Sequence, residues 1–269
     1  MCSFSRLSGK WLPRLRILLG VGLMLASATA RGTVFNWPDA GWTAGSPGPG
    51  QTFSQDFTSV TPNDINVSVN NNDTSNQGAT WQPNYPQVGA TPVTGGLTGT
   101  NALQLYVVSQ SSVSSFIRTT VTFNTPVINL TFQIWDVDAS SGQFADKISN
   151  IQALAQGGGI VAADSVTSEV SGYNTISGSG LGRVVLGIAN ANNATNQGTI
   201  DISFLGPITQ FSFDWSNNDA GLGAQAIALG PLTYAIVPEL GQGWGAGLLC
   251  LLLVAFDAIA RRSRASVRP

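Results

Sequence analysis

Apolar side chains recur at every second position through long stretches of this chain. The run from Ile128 to Val137 shows it best, with Ile128, Leu130, Phe132 and Ile134 alternating with Asn129, Thr131 and Gln133. A period of two places one set of side chains on one face of a strand. Similar runs, rich in Val, Ile, Thr and Phe and bounded by Gly, Asn, Ser or Pro, cover 102–108, 116–123, 148–155, 159–166, 183–189, 199–204, 208–215 and 226–236. Asn124-Thr-Pro-Val127 reads as a turn between two of them. No stretch from 31 to 236 carries a helical period. Short strands with regular turn punctuation predict an all-β fold, an antiparallel jelly-roll-like β-sandwich. The segment 31–99 is crowded with Gly, Pro, Asn, Ser and Thr. It predicts long loops, with strands near 53–57 and 65–69.

The two ends break this pattern. Lys10, Arg14 and Arg16 precede a short apolar run from Ile17 to Ala26, and Ala28-Thr29-Ala30 follows it. That is the layout of a signal peptide over residues 1–30, a signal helix that signal peptidase cuts after Ala30. The apolar run is about half the ~20 residues needed to span a bilayer.

At the other end, Val237-Pro238-Glu239-Leu240 precedes an apolar segment from Gly243 to Ala260. Arg261, Arg262 and Arg264 follow it. Eighteen residues at ~1.5 Å rise extend about 27 Å, enough for one transmembrane helix over 243–260. The arginines keep residues 265–269 on the cytoplasmic side. The three-part arrangement over 237–264 resembles the PEP-CTERM sorting signal of exopolysaccharide-producing Gram-negative bacteria. In that family a Val-Pro-Glu-Pro motif, a membrane helix and a basic tail are recognised by an exosortase. The resemblance implies that Pro238, Glu239, Arg261, Arg262 and Arg264 carry sorting and processing. Leu240 stands where the family has its second proline, and Asp257 lies within the apolar run. A plain membrane anchor is the alternative.

Only 10% of the 269 residues are charged, and most of the basic ones sit near the ends. Between Arg31 and Val237, four basic residues face twelve acidic ones, a net charge of −8. Such a domain repels a phosphate backbone, so no nucleic-acid partner is expected, and cations are the favoured charged ligands. The sequence has no histidine, and its two cysteines, Cys2 and Cys250, lie outside this region. Disulfide stapling, imidazole or thiolate metal sites and histidine-dependent nucleophilic triads are therefore excluded there. The chain does not read as an enzyme.

Asp136-Val-Asp138, followed by Asp146, is the leading chemical cluster. Alternate positions put Asp136 and Asp138 on one side of an extended chain, and the Ser140-Ser-Gly142 turn brings Asp146 back toward them. Three carboxylates with loop carbonyls suit calcium. The same acids also match a glycoside-hydrolase carboxylate pair, a weaker reading. Trp81 and Tyr85, in the loop Thr80-Trp-Gln-Pro-Asn-Tyr-Pro86, are candidates for sugar contact through their flat apolar faces.

A second resemblance covers residues 100–236. Phe132-Gln-Ile-Trp-Asp-Val-Asp138 with Asp146-Lys-Ile148, then Gly206–Phe213, Asn217-Asn218 and Gln225–Tyr234, are similar to a module of secreted bacterial surface proteins. It implies a lectin-like sandwich. The sequence thus predicts an exported cell-surface or extracellular-matrix protein, at least transiently membrane-anchored, that binds exopolysaccharide. A purely structural surface-layer protein is the alternative, and a glycan-active hydrolase the weakest reading.

Overall fold

Residues 32–38, 41–58, 64–73, 79–110 and 115–237 are described in a computed structural model of the chain. The signal segment with Ala28 and Ala30, and the tail with Pro238, Glu239, Arg261, Arg262 and Arg264, lie outside them. Among the described residues no helix is long and apolar enough to cross a membrane.

Alternation gives strands throughout, and every pairing is antiparallel. The first five are β1 (Gly32–Phe35), β2 (Thr52–Phe57), β3 (Ile65–Asp73), β4 (Thr80–Trp81) and β5 (Gln87–Gly89). They are followed by β6 (Ala102–Ser109), β7 (Ser115–Trp135), β8 (Ala139–Ser140), β9 (Phe144–Ala155), β10 (Ile160–Ala162) and β11 (Ser165–Ser168). The last five are β12 (Asn174–Ser177), β13 (Val184–Gly187), β14 (Ile200–Phe204), β15 (Ile208–Asn217) and β16 (Gln225–Ile236). Among the described residues one 3₁₀ turn, Gly180–Gly182, interrupts them.

The organising element is β7, with 21 residues. The turn expected at 124–127 is a correction: the chain stays extended there. Pro126 is tolerated because β7 changes partners at that point. Its first half pairs with β3 as far as Phe123 and with β15 from Ile117, while its second half pairs with β16 from Val127 and with β14 from Leu130. A missing N–H costs little where one ladder ends and another begins. Two sheets therefore share one strand. One runs β2-β3-β7-β15-β9-β13-β12, and the other runs β11-β14-β7-β16-β6-β4. β1 lies along β16 and β10 along β9.

The two sheets meet across an apolar interior. Phe132 stacks on Phe211 at 4.4 Å, and Phe123 meets Tyr234 at 5.3 Å, edge to face. Each pair takes one ring from each sheet. Ile128 was expected on the buried face with Leu130, Phe132 and Ile134. It is half-buried, and Val127 occupies the core instead. Asn129, at φ 52°, supplies the extra residue that resets the alternation. Odd positions face inward up to Val127 and even positions from Leu130 to Ile134.

Trp135 continues onto the opposite, outer face yet is fully buried, in a satellite cluster with Val93, Ala102, Ala226 and Ala228. Gly95 and Gly230 cover it so closely that an added Cβ would lie 2.5 and 2.8 Å from its ring. Only a residue without a side chain permits that approach.

Candidate functional site

The strand β7 ends at Trp135, and Asp136 turns the backbone into the left-handed region at φ 66°. Asx side chains tolerate this conformation better than most. The turn sends Val137 into the main core and lays the following segment against β9, β13 and the loop before β14. Asp138 O accepts from Asp146 N at 2.8 Å, Ala139 N donates to Ala189 O at 3.0 Å, and Val137 N donates to Gly198 O at 2.9 Å. A Cβ on Gly187 would stand 2.0 Å from Asp138 O, so this approach requires glycine.

These contacts bring Asp136, Asp138 and Asp146 together inside the protein, with exposures of 5%, 4% and 0%. Asp146 Oδ1 accepts a 2.7 Å hydrogen bond from Trp215 Nε1, and its Oδ2 accepts from Asp138 N at 3.2 Å. Asp138 Oδ2 accepts from Ala191 N at 2.7 Å. Asp136 Oδ1 is buried and meets no donor. Among the described residues the ion pair present is Arg118–Asp214, and no lysine or arginine forms a salt bridge with the three acids.

Burial, and then the charge of Asp138, push the Asp136 carboxyl up to about 8. Asp138 is also raised, chiefly by burial, against the pull of the Ala191 N–H and Asp146. Asp146 is raised by burial and by the charges of Asp138 and Asp136, against the Trp215 and Asp138 N–H donors. After the Ser140-Ser-Gly142 turn the chain brings Asp146 back beside Asp138. As they stand, no three such side chains among the described residues are arranged to hold a metal ion.

A buried amide network braces this end of the fold. Asn217 Oδ1 accepts from Ala145 N at 3.0 Å, and Asn217 Nδ2 donates to Gln110 O at 3.2 Å and Gly221 O at 2.7 Å. Gln225 Nε2 donates to Gln110 Oε1 at 2.8 Å. Sequence reading did not select these residues, because amides scattered over 110–225 carry no local spacing.

Trp81 and Tyr85 lie elsewhere. Trp81 is half-buried and donates Nε1 to Pro47 O at 2.8 Å, which pins the loop before β2. Tyr85 packs edge-on against Tyr106 at 5.3 Å. Trp37, Trp42, Trp135 and Trp215 are core residues.

A feature invisible in the sequence is a groove of about 390 Å³ on the outer face of the second sheet. Its lining includes Thr131 and Gln133 of β7, Asp201 and Ser203 of β14, and Thr233 of β16, with Leu97 and Pro231 beside them. These are the outward positions of strands whose inward positions fill the core. Gln133 Nε2 donates to Asp201 Oδ1 at 2.9 Å, and Gln133 Oε1 accepts from Trp135 Nε1 at 3.0 Å. The chain Trp135–Gln133–Asp201 fixes the polar groups on rigid strands. The expected sugar contacts Trp81 and Tyr85 do not line this groove, and neither do the three buried acids.

No protein-family model and no curated protein matches the chain. Among solved structures it is similar to the N-terminal domain of the Streptococcus gordonii adhesin Sgo0707, at 8% identity and a TM-score of 0.38. That match covers 80% of this chain and 50% of the adhesin chain, so the chain spans about half the length of that neighbour. It is also similar to the family 11 carbohydrate-binding module of the cellulosomal cellulase Lic26A-Cel5E of Clostridium thermocellum. There the identity is 9% and the TM-score 0.30, over 80% of this chain and 100% of the module. A Clostridium thermocellum family 11 module in complex with a β-1,3-1,4-mixed-linked tetrasaccharide matches at 10% identity and a TM-score of 0.30, over 77% of this chain and 97% of that one.

Proposed function

We propose that the chain is an exported surface protein whose two-layered, jelly-roll-like β domain binds exopolysaccharide along the outer face of its second sheet. The observation that carries this reading is the paired Gln133–Asp201 row in the groove, flanked by hydroxyls and by the apolar Leu97 and Pro231. A sugar ring offers vicinal hydroxyls at its edge and apolar C–H groups on its faces. Amide, carboxylate and hydroxyl heads meet the first, and Leu97 and Pro231 meet the second. The volume falls in the range of small-ligand clefts, roughly 300–1,000 Å³. Because the polar heads stand on strands, little ordering cost accompanies binding.

Residues 1–30 direct export through signal peptidase. The 237–264 segment sorts the protein through an exosortase-type system, with the 243–260 helix holding it in the membrane until processing and its C-terminus in the cytoplasm. The sequence layout supports both steps. The role is binding rather than catalysis: Asp136 and Asp138 are buried away from the groove, which argues against their use as a hydrolytic pair. Binding of exopolysaccharide from the producing strain to the full chain, by calorimetry, tests the glycan reading, and Asp201→Ala is expected to weaken it. Deletion of exosortase from the producing strain tests the sorting reading. Retention of the intact tail in the membrane supports it, and unchanged surface delivery reduces the tail to a plain anchor.

A further inference from the structure

We propose that the groove is a track running across the strands of the second sheet, and that it takes an extended, non-acidic polysaccharide chain by its internal sugar units. This deepens the glycan reading above and rests on it. Strand register carries the inference. Ser165 of β11 lies opposite Ser203 of β14, Ser203 opposite Thr131 of β7, and Thr131 opposite Thr233 of β16. Directly opposed residues of antiparallel strands point to the same face. The four hydroxyls therefore form one row, and all four residues line the groove. Ser165, Thr131 and Thr233 are exposed and Ser203 is half-buried. Val34 of β1 lies opposite Thr233, is 53% exposed, and continues the row as an apolar end. Three inter-strand steps of about 4.8 Å put the first and last hydroxyls roughly 14 Å apart, far more than the length of one sugar ring.

A second row lies two residues along. Thr167 is opposite Asp201, and Asp201 is opposite Gln133, whose amide binds it. Along the strands the path is short. Beyond Gln133 comes Trp135, and the loop bearing Gly95 lies directly on its ring. That loop also supplies Leu97 to the groove. Thr94 N donates to Asn193 O at 2.9 Å, which ties the loop to the segment before β14. A ligand running lengthwise therefore meets a wall, whereas one running crosswise meets hydroxyl after hydroxyl. Charge then selects the chain. Among the described residues the charged side chain of the lining is Asp201, and no lysine or arginine lines the groove with it. Uronate or sulfate groups would sit beside this carboxylate without a counter-charge, in a strongly acidic domain, so an anionic chain is repelled. Sugar hydroxyls instead donate to Asp201 and exchange hydrogen bonds with the serine and threonine row.

Calorimetric titration of the full chain with size-fractionated fragments of the producing strain's exopolysaccharide tests it, after anion exchange has separated acidic from non-acidic fragments. Non-acidic fragments of about six sugar units should bind roughly tenfold or more tightly than single units. Thr233→Val and Ser165→Ala remove the hydroxyls at the two ends of the row. Each should weaken the long fragments about three- to tenfold, the loss of one hydrogen bond, with the melting temperature unchanged because both side chains are exposed. Thr122→Val, on the outer face of the first sheet, should leave binding as it is. Single units that bind as tightly as long fragments would keep the glycan reading and overturn the track. So would binding confined to the acidic fragments, or full affinity in both end variants. No binding of the intact polysaccharide would remove the glycan reading itself, and this proposal with it.

Discussion

The indole Nε1 of Trp215 donates a 2.7 Å hydrogen bond to Asp146 Oδ1, and both residues are fully buried. β15 and β9 are neighbours, with Trp215 opposite Ile148, so an inward-facing indole reaches an inward-facing carboxylate two residues along the partner strand. The core thereby ends in a polar cap rather than in more hydrocarbon. Trp215→Phe keeps an aromatic ring but leaves Asp146 Oδ1 without a donor. A loss of about 1–3 kcal/mol is expected from stranding a buried acceptor, read from denaturant unfolding. An unchanged midpoint contradicts this role for the bond.

Gly187 is the backbone counterpart of that cap. A methyl group there would stand 2.0 Å from Asp138 O, so Gly187→Ala forces β13 away from the Asp136–Asp138 turn. Overpacking of this kind costs about 1–3 kcal/mol or more. Gly206→Ala, where nothing lies within 4 Å of the added carbon, serves as the comparison and is expected to be near neutral. Paired thermal melts of the two variants check the contrast.

Stability should fall with rising pH. The Asp136 carboxyl moves from 3.8 unfolded to about 8 folded, so the folded chain holds the extra proton between those values. The contribution is full below pH 4 and is lost as pH rises through about 8. Asp138 and Asp146, also raised, act in the same direction. The melting temperature should therefore decline from pH 5 to pH 8, and Asp136→Asn should flatten the decline. A melting temperature that rises across this window contradicts the buried-acid account.

Much of this architecture was legible in the alternation. The runs at 102–108, 199–204 and 226–236 fold as β6, β14 and β16 within a residue of their expected ends. What escaped was the continuity of β7. Pro126 and Asn124 look like a turn locally, and only the exchange of β3 for β16 along one edge makes an extended Pro126 acceptable. The return of Asp146 to Asp138 was readable because one tight turn joins β8 to β9, but the left-handed turn at Asp136 was not, since the alternation predicts an extended chain there. The groove was not, since Gln133, Asp201 and Thr233 are brought side by side by pairings between distant segments. Trp135 illustrates the same limit: its burial on an outer face depends on Gly95 and Gly230, far away in sequence.

Within the groove, Asp201 is the charged head, and Gln133 donates to it. It is half-buried, while Gln133 also holds Trp135. Asp201→Ala should weaken polysaccharide binding by roughly tenfold or more, the loss of about one charge-assisted hydrogen bond, with the melting temperature little changed. A large melting shift would instead mark the pair as structural.

The most direct measurement is calorimetric titration of exopolysaccharide from the producing strain into the full-length protein, beside Asp201→Ala. Saturable binding by the wild type that the variant loses is the expected result. No heat of binding to the wild type, or equal binding by both proteins, would contradict the groove as a glycan site.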